Sequence, residues 1–314
     1  MKILIPSTYS GPVPVIDDAQ VVLVDGTRPV PPEHLDAEVL VVWGQPDDVL
    51  KDAARRMTRL QLVQGLAAGP DNVVAAGFAD DVRLASGVGL HDGPVAEHAM
   101  ALTLSLVRML PLAMRQQREH LWDDELGGAM LERAHDGRVI TLDGANVTIW
   151  GFGSIASRLA PLLRAMGAWV TGVARSAGPR HGFDVVDEDA LGSVLAETDV
   201  LIMVLPKHHS THAALNAERL AQLKPSALVI NVGRGTTVDE DALLAAVRSG
   251  RVAGAALDVT VVEPLPASSP LWDEPNVLIT PHVASGRPQQ ADRLIEHNVA
   301  ALRHEGDLLN LLAR

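Results

Sequence analysis

The stretch Val147-Thr148-Ile149-Trp150-Gly151-Phe152-Gly153-Ser154-Ile155-Ala156 is an apolar run that stops on a glycine and resumes with a different period. Val147–Trp150 reads as a strand. Ser154–Met166 reads as a helix with Ile155, Leu159, Leu162 and Met166 on its buried face. Gly151 permits the tight turn, Gly153 lets the backbone come close to a pyrophosphate, and Ala156 takes the third glycine position where helix meets strand. The helix N-terminus would offer free N–H groups and the positive end of its dipole to the phosphates. Alone, the pattern fits a plain turn or another nucleotide site as readily. Within a series of strands and helices it reads as a dinucleotide site.

Such a series extends on both sides. Downstream, Trp169–Val173, Asp199–Val204, Ala227–Val232, Val252–Leu257 and Val277–Ile279 read as strands. Asp239 should cap a helix that carries Leu243, Leu244 and Val247 and stops at Gly250. Upstream, Lys2–Ile5, Gln20–Val24, Glu38–Val42 and Leu60–Gln64 read as strands, with a helix over Pro46–Met57. This alternation predicts α/β architecture with parallel sheets. A long helix opens at Gly93-Pro94 and runs to Leu110, apolar nearly all round, which predicts deep burial at a domain junction or against another subunit. The segment Trp122–Arg138 reads as a loop or arm, and Gln289–Leu312 as largely helical.

Composition narrows the function. The 314 residues allow two domains. A formal charge of −13 opposes binding to nucleic acid or to anionic membrane surfaces, while leaving room for a small anionic substrate beside a local arginine. With no cysteine, disulfides, thiolate metal sites and cysteine nucleophiles are excluded. The opening residues Met1–Pro6 read as a strand rather than a signal peptide, and no stretch approaches a membrane span, so a cytoplasmic location is expected.

Three C-terminal segments carry the chemistry: Asn231-Val232-Gly233-Arg234-Gly235, then Leu257-Asp258-Val259 running to Glu263-Pro264-Leu265, then Thr280-Pro281-His282. Each follows a strand-like run, so Arg234, Asp258 and His282 should stand at strand carboxyl ends, where open α/β sheets bind ligands. An arginine, an acid and a histidine gathered there point to carbonyl reduction or alcohol oxidation. Singly, each fits a capped or solvated loop residue. Coenzyme preference is addressed by Gly172-Val173-Ala174-Arg175-Ser176, with Arg180 beyond. A site for NAD(H) usually places an acid there for the ribose 2′-hydroxyl. Arg175, Ser176 and Arg180 suit a 2′-phosphate, so NADP(H) is favoured and NAD(H) stays open. Arg175 as a solvated loop residue is the plain alternative.

In this order the motifs resemble those of the D-isomer-specific 2-hydroxyacid dehydrogenases, including the glyoxylate and hydroxypyruvate reductases. The resemblance starts at Glu97 and Arg108, passes through Gly151–Ile155, Leu205-Pro206 and Thr211, takes in the three C-terminal segments, and closes on Asn298, Gly306 and Asn310. It implies two Rossmann-like or flavodoxin-like α/β domains. The substrate domain would be discontinuous (residues 1–92 and 285–314), with the dinucleotide-binding domain (93–284) inserted and the site in a cleft that closes over substrate. It implies His282 as general acid–base, Glu263 as the carboxylate that orients the ring, and Arg234 as the clamp on the substrate carboxylate. Asp258 would meet the nicotinamide carboxamide. Gly151, Gly153, Ser154, Ile155, Leu205, Pro206, Thr211 and Val232 would line the coenzyme. Gly65-Leu66-Ala67-Ala68-Gly69-Pro70-Asp71 resembles the family loop whose backbone N–H groups bind the substrate carboxylate, at Ala67, Ala68 and Gly69. Trp43-Gly44 would wall the pocket, or Trp43 would be a core residue. A homodimer is implied as well.

Departures from the family pattern are the missing acid near residue 175 and Lys207-His208-His209-Ser210 in place of a threonine-containing stretch. Formate dehydrogenases have glutamine where Glu263 stands, and phosphite dehydrogenases have lysine near Ala68, so neither fits. His208, His209 and His212 invite a metal site, but no acid completes the set and a solvated or helix-start cluster is expected. Asp123-Asp124-Glu125 and Asp187-Glu188-Asp189 read as exposed loops and a helix start. The rival function is a dinucleotide-sensing binding protein or co-repressor on the same scaffold, which would not need the triad. An S-adenosylmethionine enzyme would keep an acid near Arg175.

Overall fold

Short apolar runs become parallel strands here. The computed structural model describes residues 1–122 and 133–313. The chain forms two units, Met1–Asp92 with Ser285–Arg314, and Gly93–Ala284. In the discontinuous unit, β1 (Lys2–Pro6), β2 (Gln20–Val24), β3 (Val39–Val42), β4 (Leu62–Gly65) and β5 (Arg83–Ala85) pair in parallel in the order β2-β1-β3-β4-β5. Between them run α1 (Asp47–Arg56) and the short α2 (Asp71–Ala75).

The inserted unit begins with α3 (Asp92–Val107) and α4 (Leu110–Arg118). Its strands are β6 (Asn146–Trp150), β7 (Trp169–Val173), β8 (Asp184–Val186), β9 (Val200–Met203), β10 (Leu228–Asn231), β11 (Gly254–Leu257) and β12 (Val277–Ile279). They form one parallel sheet in the order β12-β11-β10-β9-β6-β7-β8. The order reverses between β6 and β9, which opens a crevice beyond those strand ends. Around this sheet lie α5 (Ser154–Ala165), α6 (Leu191–Glu197), α7 (Ala217–Gln222) and α8 (Glu240–Arg248). The chain returns to the first unit with α9 (Ala291–Arg303).

Both faces of each sheet are covered, so strands alternate sides without alternating polarity. Val200 and Ile202 join α3 and α5 in one core, while Leu201 and Met203 join residues of α6 to α8 in the other. In the discontinuous unit, Leu40 and Val42 pack with α1, and Val39 and Val41 pack with α9. Each such fully buried aliphatic side chain contributes about 1.5–3 kcal/mol.

Several sequence expectations are corrected. The helix expected from Pro94 to Leu110 starts at Asp92 and breaks after Val107; Met109 is left-handed at φ 52, and α4 leaves at 63° to α3. Pro111 cannot donate to the Val107 carbonyl, and its ring would clash there. On α5 the buried residues are Ala156, Leu159, Ala160 and Leu163, while Leu162 and Met166 are 43% and 50% exposed. The face against the sheet is the stripe at 156, 159, 160 and 163, and Leu162 and Met166 lie off it. The C-terminal helix ends at Arg303 rather than Leu312. Beyond it the tail bonds to the β5 edge, Ser86 N–H to Asn310 O and Leu312 N–H to Leu84 O. Of the expected arm, residues 123–132 with the acidic group Asp123-Asp124-Glu125 lie outside the described residues. Among the described residues no single helix is long and apolar enough to cross a membrane.

Candidate active site

The last three strands of the inserted unit deliver Arg234, Asp258 and His282 from neighbouring strand ends. After β10, Asn231 builds the turn: its Oδ1 accepts from Gly233 N–H at 3.0 Å and its Nδ2 donates to Arg234 O at 3.1 Å. Thr237 donates its hydroxyl to the same Arg234 carbonyl at 2.7 Å. Arg234 is half-buried, with Nη1 donating to Gly233 O at 2.9 Å. Neighbouring loops pack so closely that side chains are excluded. A Cβ on Gly233 would lie 2.6 Å from Leu205 O, and one on Gly235 would lie 2.0 Å from the Thr260 carbonyl carbon.

After β11, the Asp258 carboxylate is buried and fully engaged. Oδ1 accepts from the Thr280 hydroxyl at 2.6 Å and from Val283 N–H at 3.0 Å, and Oδ2 accepts from Ala284 N–H at 3.0 Å. His98 of α3 brings Nε2 to 3.0 Å from Thr280 Oγ1 and 3.3 Å from Asp258 Oδ1. These bonds fix the turn after β12 on which His282 sits, itself left-handed at φ 52. Its N–H donates to Asp258 O at 2.8 Å.

His282 and Glu263 are in direct contact: Nδ1–H donates to Glu263 Oε2 at 2.6 Å. Glu263 Oε1 accepts from Thr260 N–H at 3.0 Å, so both carboxylate oxygens are used. A donor at Nδ1 leaves Nε2 as the atom that gives or takes a proton. The His282 side chain is 41% exposed. Glu240, at the start of α8, accepts from Val261 N–H at 2.6 Å. Burial pushes its carboxyl above the usual range against the pull of the Val261 N–H, and Asp241 and Glu263 push the same way as burial.

The residues expected at the coenzyme follow β6, β7, β9 and β10. Gly151 is left-handed at φ 101, and a Cβ there would meet Val204 O at 2.6 Å. A Cβ on Gly153 would meet nothing within 4 Å, so the backbone before α5 is open to a ligand. Ser154 opens α5, Ile155 is half-buried and Ala156 is buried against the sheet. Arg175 and Ser176 are exposed after β7. Arg180 Nη2 donates to Ser176 O and Oγ, both at 2.7 Å, and Nη1 reaches Phe152 O at 3.4 Å. An open glycine turn, a helix N-terminus and an exposed guanidinium fit a phosphorylated dinucleotide. Leu205, Thr211 and Val232 are buried and Pro206 is exposed. Thr211 Oγ1 accepts from His208 N–H at 2.9 Å and lies 2.7 Å from Pro206 O, so its hydroxyl holds the loop after β9 in shape. His208 Nδ1 accepts from Ser210 N–H at 3.2 Å and caps the turn through Thr211. Among the described residues no group of His, Asp and Glu could hold a metal ion.

In the discontinuous unit, Ala67, Ala68 and Gly69 are half-buried on a loop after β4. Its carbonyls turn inward: Ala67 O accepts from Gly87 N–H at 2.8 Å, and Leu66 O lies 2.7 Å from His91 Nε2. Trp43 stacks on the His91 ring with centroids 5.3 Å apart. The roles of His98 and Glu240 are not legible in the sequence. Their effect depends on which strands are neighbours, and spacing along the chain does not encode that.

Comparison with known proteins identifies the family. The family profile "D-isomer specific 2-hydroxyacid dehydrogenase, NAD binding domain" matches residues 100–284. Glyoxylate/hydroxypyruvate reductase B of Pectobacterium atrosepticum is 33% identical over 276 residues, 83% of this chain and 82% of that protein. D-3-phosphoglycerate dehydrogenase of Mycobacterium tuberculosis is 32% identical over 237 residues, but the match spans only 43% of that longer protein. Among solved structures, a D-isomer specific 2-hydroxyacid dehydrogenase family protein from Aeromonas salmonicida superposes with a TM-score of 0.83 at 29% identity, covering 99% of this chain and 98% of that one. The NADPH-dependent glyoxylate/hydroxypyruvate reductase of Sinorhizobium meliloti, solved with NADP and sulfate, gives 0.80 at 26% identity over 99% and 97% of the two chains. With a Rossmann-type unit, a matching profile and full-length structural neighbours, the chain belongs to the D-isomer specific 2-hydroxyacid dehydrogenase family, whose members are NAD(P)-dependent 2-hydroxyacid dehydrogenases and reductases.

Proposed function

We propose that this protein reduces a small 2-oxo acid to the (R)-2-hydroxy acid at the expense of NADPH, with glyoxylate and hydroxypyruvate as first candidates. The observation that carries this reading is the 2.6 Å contact of Glu263 with His282 Nδ1, which leaves Nε2, on a side chain that is 41% exposed, as the proton donor. The names of the Pectobacterium and Sinorhizobium relatives support the substrate class.

The coenzyme, when bound, supplies the hydride. Arg234 pairs with the substrate carboxylate and polarises the keto group, because its planar fork matches a carboxylate and its charge favours negative charge growing on the oxygen. His282 gives the proton from Nε2 to that oxygen as carbon 2 receives the hydride, and Glu263 stabilises the imidazolium before transfer and fixes the ring. Asp258 holds the His282 turn through its four contacts, and a role at the nicotinamide carboxamide rests on the family resemblance. For Ala67-Ala68-Gly69 we propose a carboxylate contact through backbone N–H groups, supported by the inward-turned carbonyls of Leu66 and Ala67. Arg175, Ser176 and Arg180 are the proposed 2′-phosphate residues. The preference for NADPH rests on the exposed guanidinium of Arg175 and the absence of an acid beside it. A homodimer is proposed through α4 and the residues just after it, where Leu110, Met114, Leu121 and Trp122 are 46%, 56%, 53% and 93% exposed.

The test follows absorbance at 340 nm with NADPH or NADH and glyoxylate, hydroxypyruvate, pyruvate, phenylpyruvate and branched 2-oxo acids, plus D-3-phosphoglycerate with NADP+ in reverse. Oxidation of NADPH by glyoxylate or hydroxypyruvate is the expected result. No turnover with any acid, despite NADPH binding, would favour a dinucleotide sensor.

A further inference from the structure

We propose that Glu240 is a positioning residue for the acid–base pair: by accepting the Val261 N–H it fixes the Thr260–Glu263 loop, so that Glu263 keeps its carboxylate on His282. This deepens the reading above and rests on it for the kinetic part of the test.

The loop that carries Glu263 is held largely by its own atoms. Thr260 N–H donates to Glu263 Oε1 at 3.0 Å, and the Thr260 hydroxyl donates to Val262 O at 2.9 Å. Such local bonds set the shape of a turn but not its place relative to other elements. Val261 and Val262 are 47% and 56% exposed, so apolar packing anchors the outer part of the loop weakly. The inner part rests on the backbone at Gly235, where a side chain would overlap Thr260. Glu240 adds a lateral tie from α8, the helix that follows the Arg234 turn, with Oε1 2.6 Å from Val261 N. The same short segment, 234–240, thus supplies the guanidinium and a grip on the loop of the partner carboxylate.

The placement is electrostatically unfavourable, which argues for a positional role. Asp241 on the same helix and Glu263 on the facing loop are the charges that bear on Glu240, and both oppose its ionisation, as burial does. The carboxylate is held there by its contact with the Val261 N–H, in the first turn of α8, where an acid is ordinary on helix grounds alone. Features that cost local stability concentrate at functional sites. Glutamine would present the same acceptor without the charge, which makes the acceptor role separable from the charge.

The experiment compares Glu240→Ala and Glu240→Gln by residue-resolved amide exchange and by steady-state reduction of the best 2-oxo acid. Glu240→Ala should speed exchange at Val261, which loses its acceptor, and also at Thr260, whose acceptor is Glu263. It should lower kcat by about tenfold or more, with KM for NADPH unchanged, because a small displacement of a catalytic group is costly. Glu240→Gln should restore protection at both amides and most of the turnover. If Glu240→Ala frees Val261 alone and leaves kcat within about twofold, the contact is local and the proposal is wrong. If Glu240→Gln behaves like Glu240→Ala, the acceptor role is wrong. Should Glu240→Ala fold poorly, Glu240→Asp, one methylene short of Val261, carries the same comparison. If the wild-type protein reduces no 2-oxo acid, the proposed function fails by itself, and exchange at Thr260 still decides whether Glu240 holds the Glu263 loop.

Discussion

His282 occupies a backbone conformation, φ 52, that costs a non-glycine residue about 1–2 kcal/mol. Asp258 offsets that cost with its bonds to Thr280, Val283 and Ala284 on the same turn. Asp258→Asn would set an amide donor against an N–H or hydroxyl donor in a buried site. It should therefore lower stability by about 1–3 kcal/mol in urea denaturation and reduce turnover with it. Loss of neither would mean that the turn is held by other contacts. The coenzyme reading makes a separate prediction at Arg175: Arg175→Asp should shift the ratio of kcat/KM values from NADPH towards NADH by at least about tenfold. An unchanged ratio would remove the 2′-phosphate role. Glu240 predicts a pH effect on stability whose sign is fixed. Its carboxyl is raised in the folded state, so its contribution is fully present below the ordinary carboxylate range and is lost as pH rises through the raised value. Glu240→Gln keeps the acceptor and lacks the charge, so its advantage over wild type in urea midpoint should grow from acid to neutral pH. A constant difference would contradict this.

At the level of elements, helix faces and strand neighbours decide what the residues can do. The α5 helix shows where sequence periodicity misleads. Leu159 and Leu162 are indistinguishable by type, yet one is buried and the other is 43% exposed. Leu159→Ala should cost about 2–5 kcal/mol in chemical denaturation and Leu162→Ala well under about 1 kcal/mol. Equal costs would mean the helix sits as its periodicity alone suggests. The strands β9 and β10 were legible because buried parallel strands are nearly continuous apolar runs, and the Gly151 turn because its chemistry demands glycine at a fixed spacing. The short β5, β8 and α2 were not legible. Three to five residues carry no period, and β5 exists because it pairs with β4 and receives the C-terminal tail. Arg234, Glu263 and His282 stood out because each sits in a recognisable local motif. Glu240 and His98 did not, since a glutamate in a first helical turn or a histidine on an apolar helix is ordinary until the fold brings Val261 or Thr280 against it.

The whole chain is a discontinuous unit with a second unit inserted, each built on its own parallel sheet. Its formal charge of −13 sits uneasily with an anionic coenzyme and an anionic substrate. If Arg234 and Arg175 bind the two anions as proposed, they reverse that field locally, and apparent affinity for both should improve as salt screens the distant acids. The exposed apolar residues of α4 make a prediction about assembly. The wild type should sediment as a dimer and Met114→Glu should shift it towards monomer, whereas a monomeric wild type would remove that role for α4. The central claim, that the Glu263–His282 pair transfers the proton in reduction of a 2-oxo acid, is tested most directly by comparing kcat of wild type and His282→Gln on the best acid, with NADPH affinity measured alongside. The account predicts a fall of at least about a hundredfold with coenzyme affinity unchanged. A variant that turns over at nearly the wild-type rate would contradict it.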